Sequence, residues 1–461
     1  MFATKNMTEG EPYKRILEFA IPMLIGNVAQ QLYNTADSVI VGKYIGDNAL
    51  AAVGSSMPIL TLMFSLFIGI STGASIVTSQ MFGAKNRKGL SKSIGNCLVL
   101  SAIVSLIIMV VGTAITEPML RLLNTPASIL DWCKSYLTIF FLGIAGSIYY
   151  NILAGLLRGM GDSISALLFL LISAGLNIFL DIYFISQLGM GVEGASLATV
   201  LSQGISAVLC LIKLMNMKND FDLNLESLKL DPNISGRIIK LGLPTGITQA
   251  IMATANMFVQ NLTNSMGEMV IAANVLVMRV DGFAMMPNFS FGNAMSVFTG
   301  QNVGAGKEDR IALGKKQGQN IVLGLSTAIV VALMFASPLL FRIFTKTPEL
   351  IQLATNMIRI MAIGYIWFGL SQVLLGIMRG AGDTMTPMYQ SIISTILIRV
   401  PLAYLFASYT KSELFPHGSP YALSTSLLIS WVAGAIMAYF LFKNGKWRER
   451  MHRSMSSNKA K

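Results

Sequence analysis

Apolar residues gather in twelve long blocks, at approximately 15–41, 50–80, 91–115, 133–157, 164–187, 193–215, 235–263, 269–299, 314–340, 350–377, 385–409 and 420–443. Each block approaches or exceeds the roughly 20 residues that a helix needs to cross a bilayer. The pattern predicts an all-α polytopic membrane protein with twelve transmembrane helices. Polar residues inside the blocks are not scattered. Asn27, Gln30, Asn34 and Asp37 step by three and four along the first block, so they share one helix face. Ser173, Asn177 and Asp181 do the same in the fifth, and Ser196, Thr199, Gln203 and Ser206 in the sixth. Tyr136, Phe140, Ser147 and Asn151 mark a mixed stripe in the fourth, and Thr245, Gln249, Asn256 and Gln260 a polar one in the seventh. Lipid rejects such faces, so in each half they are expected to turn inward to a common interior.

Composition supports the membrane reading. Of 461 residues, 53% are hydrophobic and 12% charged, with a mean hydropathy of +0.62. A soluble domain carries charge at roughly 25% of positions. Three cysteines, Cys97, Cys133 and Cys210, lie in or beside apolar blocks and form neither a disulfide framework nor a metal-binding CxxC pair. The two histidines, His417 and His452, fall in a loop and in the basic tail. That excludes an intramembrane histidine relay or a histidine-based metal site, and makes a membrane-embedded hydrolase a poor reading. The first apolar block is too long for a cleaved leader and is expected to remain as a helix.

The net charge of +12 is laid out by topology, which replaces nucleic-acid binding as its explanation. Alternate loops carry 25 Lys and Arg on one side and six on the other (Lys43, Arg121, Lys134, Arg342, Lys346 and Lys411). Arg279, Arg359 and Arg399 fall inside blocks. The rich side holds both termini, which are therefore expected in the cytoplasm.

An internal repeat sets the architecture. AGLLRGMGDS at 154–163 matches LGIMRGAGDT at 375–384, so Arg158, Gly159, Gly161 and Asp162 correspond to Arg379, Gly380, Gly382 and Asp383 at an offset of 221. Gln80, Gly83 and Ala84 match Gln301, Gly304 and Ala305 at the same offset, and Pro22 matches Pro244 at 222. The expected domains are an N-terminal six-helix lobe at 1–216, a cytoplasmic linker at 217–233, and a C-terminal six-helix lobe with a basic tail at 234–461. Both RGxGD copies face the same side. The halves are then two six-helix bundles related by a pseudo-twofold axis along the membrane normal. Within RGxGD, the glycines suit a tight turn and the Arg and Asp are expected to pair at the surface.

Acids well inside blocks are few: Asp37, Asp181 and Asp281. An ionisable group there is a functional candidate by default. Asp37, Asn177, Asp181 and Thr199 supply oxygen ligands only, which suit a proton or a hard cation such as sodium. At the offset of 222, Asp37 corresponds to Val259, so ion coupling is expected in the N-terminal half. Asp281 stands two residues after Arg279, and a local charge pair is the simplest reading of it. Arg399 receives no role. Several of the 29 methionines fall in the seventh and eighth blocks, where flexible side chains suit varied ligands.

Two six-helix halves, paired RGxGD loops, QxxGA after the second block, Pro22 in the first and LNIFLD in the fifth together resemble the multidrug and toxic compound extrusion (MATE) transporters, over essentially the whole chain. The resemblance implies export of cationic or amphiphilic compounds against inward flow of protons or sodium ions, with no other cofactor. It implies an ion site at Asp37, Asn177, Asp181 and Thr199, and a cavity lined by Gln30, Tyr33, Tyr136 and Asn151, with Asn34, Asn256 and Gln260 on the adjoining faces. The acids that one branch carries in its seventh and tenth helices are replaced here by Met252 and Phe368, so the chain looks like the DinF-type side of the family. The expected protein is a monomeric antiporter of the bacterial inner membrane and not an enzyme. The rival reading is a flippase for a lipid-linked precursor, which calls for a cationic cavity where this sequence places acids.

Overall fold

The computed structural model describes residues 5–413 and 415–459; Lys461, counted above with the basic tail, lies outside the described residues. No strand occurs among them. Eight helices are long and apolar enough to cross a bilayer alone, and two further spans are helix pairs bent at a break. The first span, Pro12–Tyr44, and the seventh, Pro232–Ser265, have 33 and 34 residues. At about 1.5 Å per residue they exceed the roughly 30 Å hydrocarbon core. Their polar faces dilute their hydropathy, which is why length and not apolarity marks them as spans. Twelve spans result, six in each half.

Both halves follow one order. Three long helices come first: Pro12–Tyr44, Asp47–Gly83 and Arg87–Leu122 in one half, Pro232–Ser265, Glu268–Gly304 and Glu308–Arg342 in the other. A broken span follows. Ala127–Leu142 and Ile144–Gly159 meet at 53° across Gly143, and Pro348–Ala362 and Gly364–Gly380 meet at 40° across Ile363. Next comes a span containing a wide π turn, at Tyr183–Gln187 in one half and Ile393–Arg399 in the other. One last span closes each half, Val192–Met215 and Tyr421–Lys443.

The compact units do not divide at the middle of the linker. One contains Ile21–Gly246; the other contains Met7–Ala20 and Ile247–Ala460. Residues 217–246 are therefore built into the first unit. Arg87 grips that segment through Asp222 at 2.8 Å and the Lys218 carbonyl at 2.6 Å. Asn96 accepts from Asp231 N at 2.8 Å and from Ser235 Oγ at 2.7 Å. Gly69 and Gly246 let the second span and the start of the seventh touch, since a Cβ on Gly69 would lie 2.7 Å from the Gly242 carbonyl. In the second unit, Gln301 accepts from Met7 N at 2.9 Å and Gln317 from Tyr13 N at 2.8 Å. The repeated glutamines thus do parallel work, because Gln80 accepts from Arg237 in the first unit.

RGxGD corrects one expectation. Its Asp does not pair with its own Arg. Asp162 caps the next helix by accepting from Ser165 N at 2.9 Å, and it pairs with Lys213 at 3.6 Å. Asp383 accepts from Thr386 N at 3.1 Å and pairs with Arg450 at 2.7 Å. The chain turns through φ +88° at Gly161 and +93° at Gly382, where a side chain is strained. The turn carries the Asp toward the following helix and away from the Arg behind it. Arg450 belongs to a helix not foreseen, Lys446–Lys459, whose Trp447 and Met451 are buried.

Candidate functional site

In the first unit, the polar stripes of the first, fourth, fifth and sixth spans do meet. Asp37 and Asp181 face each other, their carboxyl groups within hydrogen-bonding range. Asn177, one turn before Asp181, donates from Nδ2 to Thr199 Oγ1 at 3.3 Å. Tyr33, one turn before Asp37, reaches Thr199 through its hydroxyl. Tyr136 closes the group from the broken fourth span, within electrostatic range of both acids and of Tyr33. Its position is fixed from behind, because Ser196 donates to its carbonyl at 2.8 Å. Asn177 and Asp181 are fully buried, and Asp37 nearly so.

The oxygens of this cluster are left over. Asp37 Oδ1, both oxygens of Asp181, Asn177 Oδ1 and nearby Gln203 Oε1 are buried and accept no hydrogen bond. So many buried bare acceptors are costly unless something positive joins them. Two facing carboxyl groups call for a shared proton or a cation between them. The donor set is all oxygen, which fits a hard monovalent cation as well as a proton. Among the described residues no group of three or more His, Cys, Asp or Glu forms a transition-metal site. Just beyond Asp181 the helix widens into its π turn, a feature often found where a helix carries function.

The remaining N-half candidates divide. Gln30 and Asn34 lie on the face that carries Tyr33 and Asp37, with exposed side chains. Asn151 is half-buried and spends its amide on the Ser147 carbonyl at 2.8 Å. Ser206 serves as helix–helix glue by donating to the Phe169 carbonyl at 2.8 Å.

The second unit holds a different cluster. Asp281 does not pair with Arg279. Two residues on a helix point about 200° apart, and Arg279 lies over the Phe344 ring at 5.8 Å. Asp281 instead accepts from the Tyr365 hydroxyl at 2.7 Å. Arg399 sits within electrostatic range of Asp281 and donates from Nη1 to Asn256 Oδ1 at 2.9 Å. Asn256 is thus engaged by a fixed cation, while Gln260 bonds Asn264 at 2.8 Å. Tyr365 was missed in the sequence, although it follows the helix break at Ile363. Arg399 ends the second π turn, which the sequence does not announce.

The profile of the MatE family matches residues 22–183 and again 244–405, two copies at the offset of 222 read from the sequence. The chain belongs to the MatE family. Its members are multi-pass membrane transporters; Tyr33, Asp37, Tyr136, Asn177 and Asp181 fall within the first of the two MatE repeats, and Thr199 and Gln203 lie just beyond its end. The chain is 29% identical to "Probable multidrug resistance protein YoeA" of Bacillus subtilis, covering 92% of this chain and 94% of that one. It is likewise 29% identical to "Probable multidrug resistance protein YpnP" of the same species, over 96% and 97%. A solved MATE structure, described as the outward-facing conformation of a multidrug resistance transporter, superposes with a TM-score of 0.88 at 24% identity, covering 99% of this chain and all of that one. This last likeness fixes the MatE fold with its twelve spans.

Proposed function

We propose that this MatE chain is a secondary active multidrug antiporter of the bacterial plasma membrane. It exports cationic or amphiphilic compounds in exchange for protons or sodium ions, with both termini in the cytoplasm. The observation that carries the reading is the bare oxygen cluster of Asp37, Asn177 and Asp181, with Thr199 bonded to the Asn177 amide. An inward-moving proton or sodium ion satisfies those oxygens and draws the first, fifth and sixth spans together. Cargo is released because the ion-loaded and cargo-loaded states prefer different packings of these spans. Tyr33 and buried Tyr136 place aromatic rings beside the acids, and exposed Gln30 and Asn34 extend the polar surface. Aromatic faces next to acids suit an organic cation. The names of the B. subtilis relatives agree with such a cargo.

Ethidium efflux from everted vesicles, with pH and sodium gradients imposed separately, tests this. Efflux driven by one gradient identifies the ion. Absence of efflux under either, with the purified protein well folded, removes the antiport reading in favour of a flippase or an exporter of other cargo.

A further inference from the structure

A pocket rimmed by cations lies in the C-terminal half, at the hairpin between the ninth and tenth spans. It has a volume of 530 Å³, and its lining includes Arg342, Lys346 and Arg359 but no acid. Thr355 also lines it, only 4% exposed. Thr355 Oγ1 and Arg359 Nε are both buried without a hydrogen-bond partner. Among the described residues none of the three cations is in an ion pair. Helix Pro348–Ala362 begins at the pocket rim, and the partial positive charge of its first turn adds to the field.

Three clustered cations repel one another, and two buried donors without partners are costly. The internal repeat shows how the same scaffold avoids that cost. At the offset of 221, Arg342 corresponds to Arg121 and Pro338 to Glu117. In the N-terminal half, Glu117 takes Arg121 at 2.8 Å and Lys134 at 2.7 Å. The C-terminal half keeps the arginine, loses the acid and opens a pocket. Arg342 and Lys346 also stand on the side that the topology reading leaves poor in Lys and Arg, and Arg359 lies within the tenth block.

We infer that this pocket binds a phosphate-bearing anion, either the headgroup of an anionic phospholipid or a free phosphate. Arg342, Lys346 and Arg359 neutralise the anion, and Thr355 donates to one of its oxygens. Pro338 and Ile351 give the lining an apolar wall, on which the glycerol of a lipid can rest. The anion then fills the role that Glu117 fills in the other half, tying the hairpin of the ninth and tenth spans.

The test begins with delipidated wild-type protein in neutral detergent. Melting is followed with inorganic phosphate against chloride at matched ionic strength, and with phosphatidylglycerol against phosphatidylcholine. Native mass spectrometry counts retained lipid. Stabilisation and retention by phosphatidylglycerol alone assign the lipid headgroup; stabilisation by inorganic phosphate assigns the free anion. Either result supports the pocket once the variants agree. Arg342→Gln with Arg359→Gln should weaken binding about 10-fold or more, the scale of one or two lost charge-assisted hydrogen bonds. Pro338→Glu should abolish it by restoring the internal acid while improving the hairpin in the absence of ligand. Lys411→Gln, a cation on the same side outside the pocket, should leave it unchanged. The inference is overturned if neither phosphate nor phosphatidylglycerol acts on the wild type, or if their effect persists in Pro338→Glu and in the arginine variant.

Discussion

Asp37→Asn keeps the shape of the N-half site and removes one of its two facing carboxyl groups. A monovalent cation about 4 Å from a carboxylate gains about 4 kcal/mol at an effective dielectric constant of about 20. Losing one of two such partners therefore lowers ion affinity roughly a thousandfold. The same substitution loads the site with an amide that can donate to an oxygen of Asp181, which now accepts nothing. Melting temperature should hold or rise while coupling fails, because one orphaned acceptor is satisfied. The assay is gradient-driven ethidium efflux from everted vesicles, read beside ethidium binding without a gradient and beside thermal melting. The expected variant binds dye, melts no lower than wild type and does not expel dye. Asp181→Asn should match it, and Asn177→Ala, which removes a neutral oxygen, should cost less, about 10-fold in ion affinity. Efflux by Asp37→Asn at the wild-type rate, under the same gradient, refutes the assignment of coupling to this cluster.

Other parts of the chain make separate predictions. Asp281→Asn, Arg399→Gln and their double variant should show a coupling of about 1 kcal/mol or more in detergent melts, since the two charges share the Tyr365–Asn256 cluster; additive effects would show that Arg399 does not serve Asp281. Asp383→Ala removes the acceptor of Thr386 N, a bond worth about 1 kcal/mol, and the partner of Arg450, so helix Lys446–Lys459 should become the first site of proteolysis; an unchanged digestion pattern counts against that anchor. Arg87 holds the Asp222 carboxyl below the usual carboxylate range by direct hydrogen bonding. Its support is therefore complete above the unfolded carboxylate value of about 3.9 and lost as pH falls through the native value. Cleavage within 217–231 should rise only in acid for wild type and at every pH for Asp222→Asn, and a wild-type rate that ignores acid would contradict the pairing.

The spans were legible because lipid permits few backbone solutions, and apolar length states them directly. The internal repeat was legible because RGxGD places glycines where the turn at Gly161 and Gly382 demands them. The meeting of Asp37, Asn177, Asp181 and Thr199 followed from helical periodicity, since each faces inward for want of any other tolerable direction. What the pattern could not carry was pairing across helices. RGxGD suggested an Arg–Asp pair from adjacency, whereas the turn delivers Asp162 to Lys213 and Asp383 to Arg450. Asp281 and Arg279 suggested another, which two residues of helical rotation forbid. The tail helix Lys446–Lys459 was obscured by its charge, because Trp447 and Met451 are its buried apolar residues among those described. The π turns were invisible for a simpler reason. Widening one helical turn is decided by the neighbours that the turn must clear, and no residue type signals it.

The two halves share a scaffold and differ where charge is buried. At the offset of 222, Asn34 corresponds to Asn256, Asn177 to Arg399 and Asp37 to Val259. The first half therefore presents bare oxygens at the positions where the second presents a tethered guanidinium held by Asn256. A fixed cation and an exchangeable one solve the same local problem, since either satisfies buried acceptors. Only the exchangeable one can carry energy from a gradient, because only its occupancy changes with the concentration outside. A mutation that swaps the arrangements, Asn177→Arg, should consequently supply the first half with its own cation. It should leave a folded protein whose cargo binding no longer responds to either ion. Retained ion-dependent release in that variant would mean that the oxygens around Asp181 are structural and that the gradient enters elsewhere.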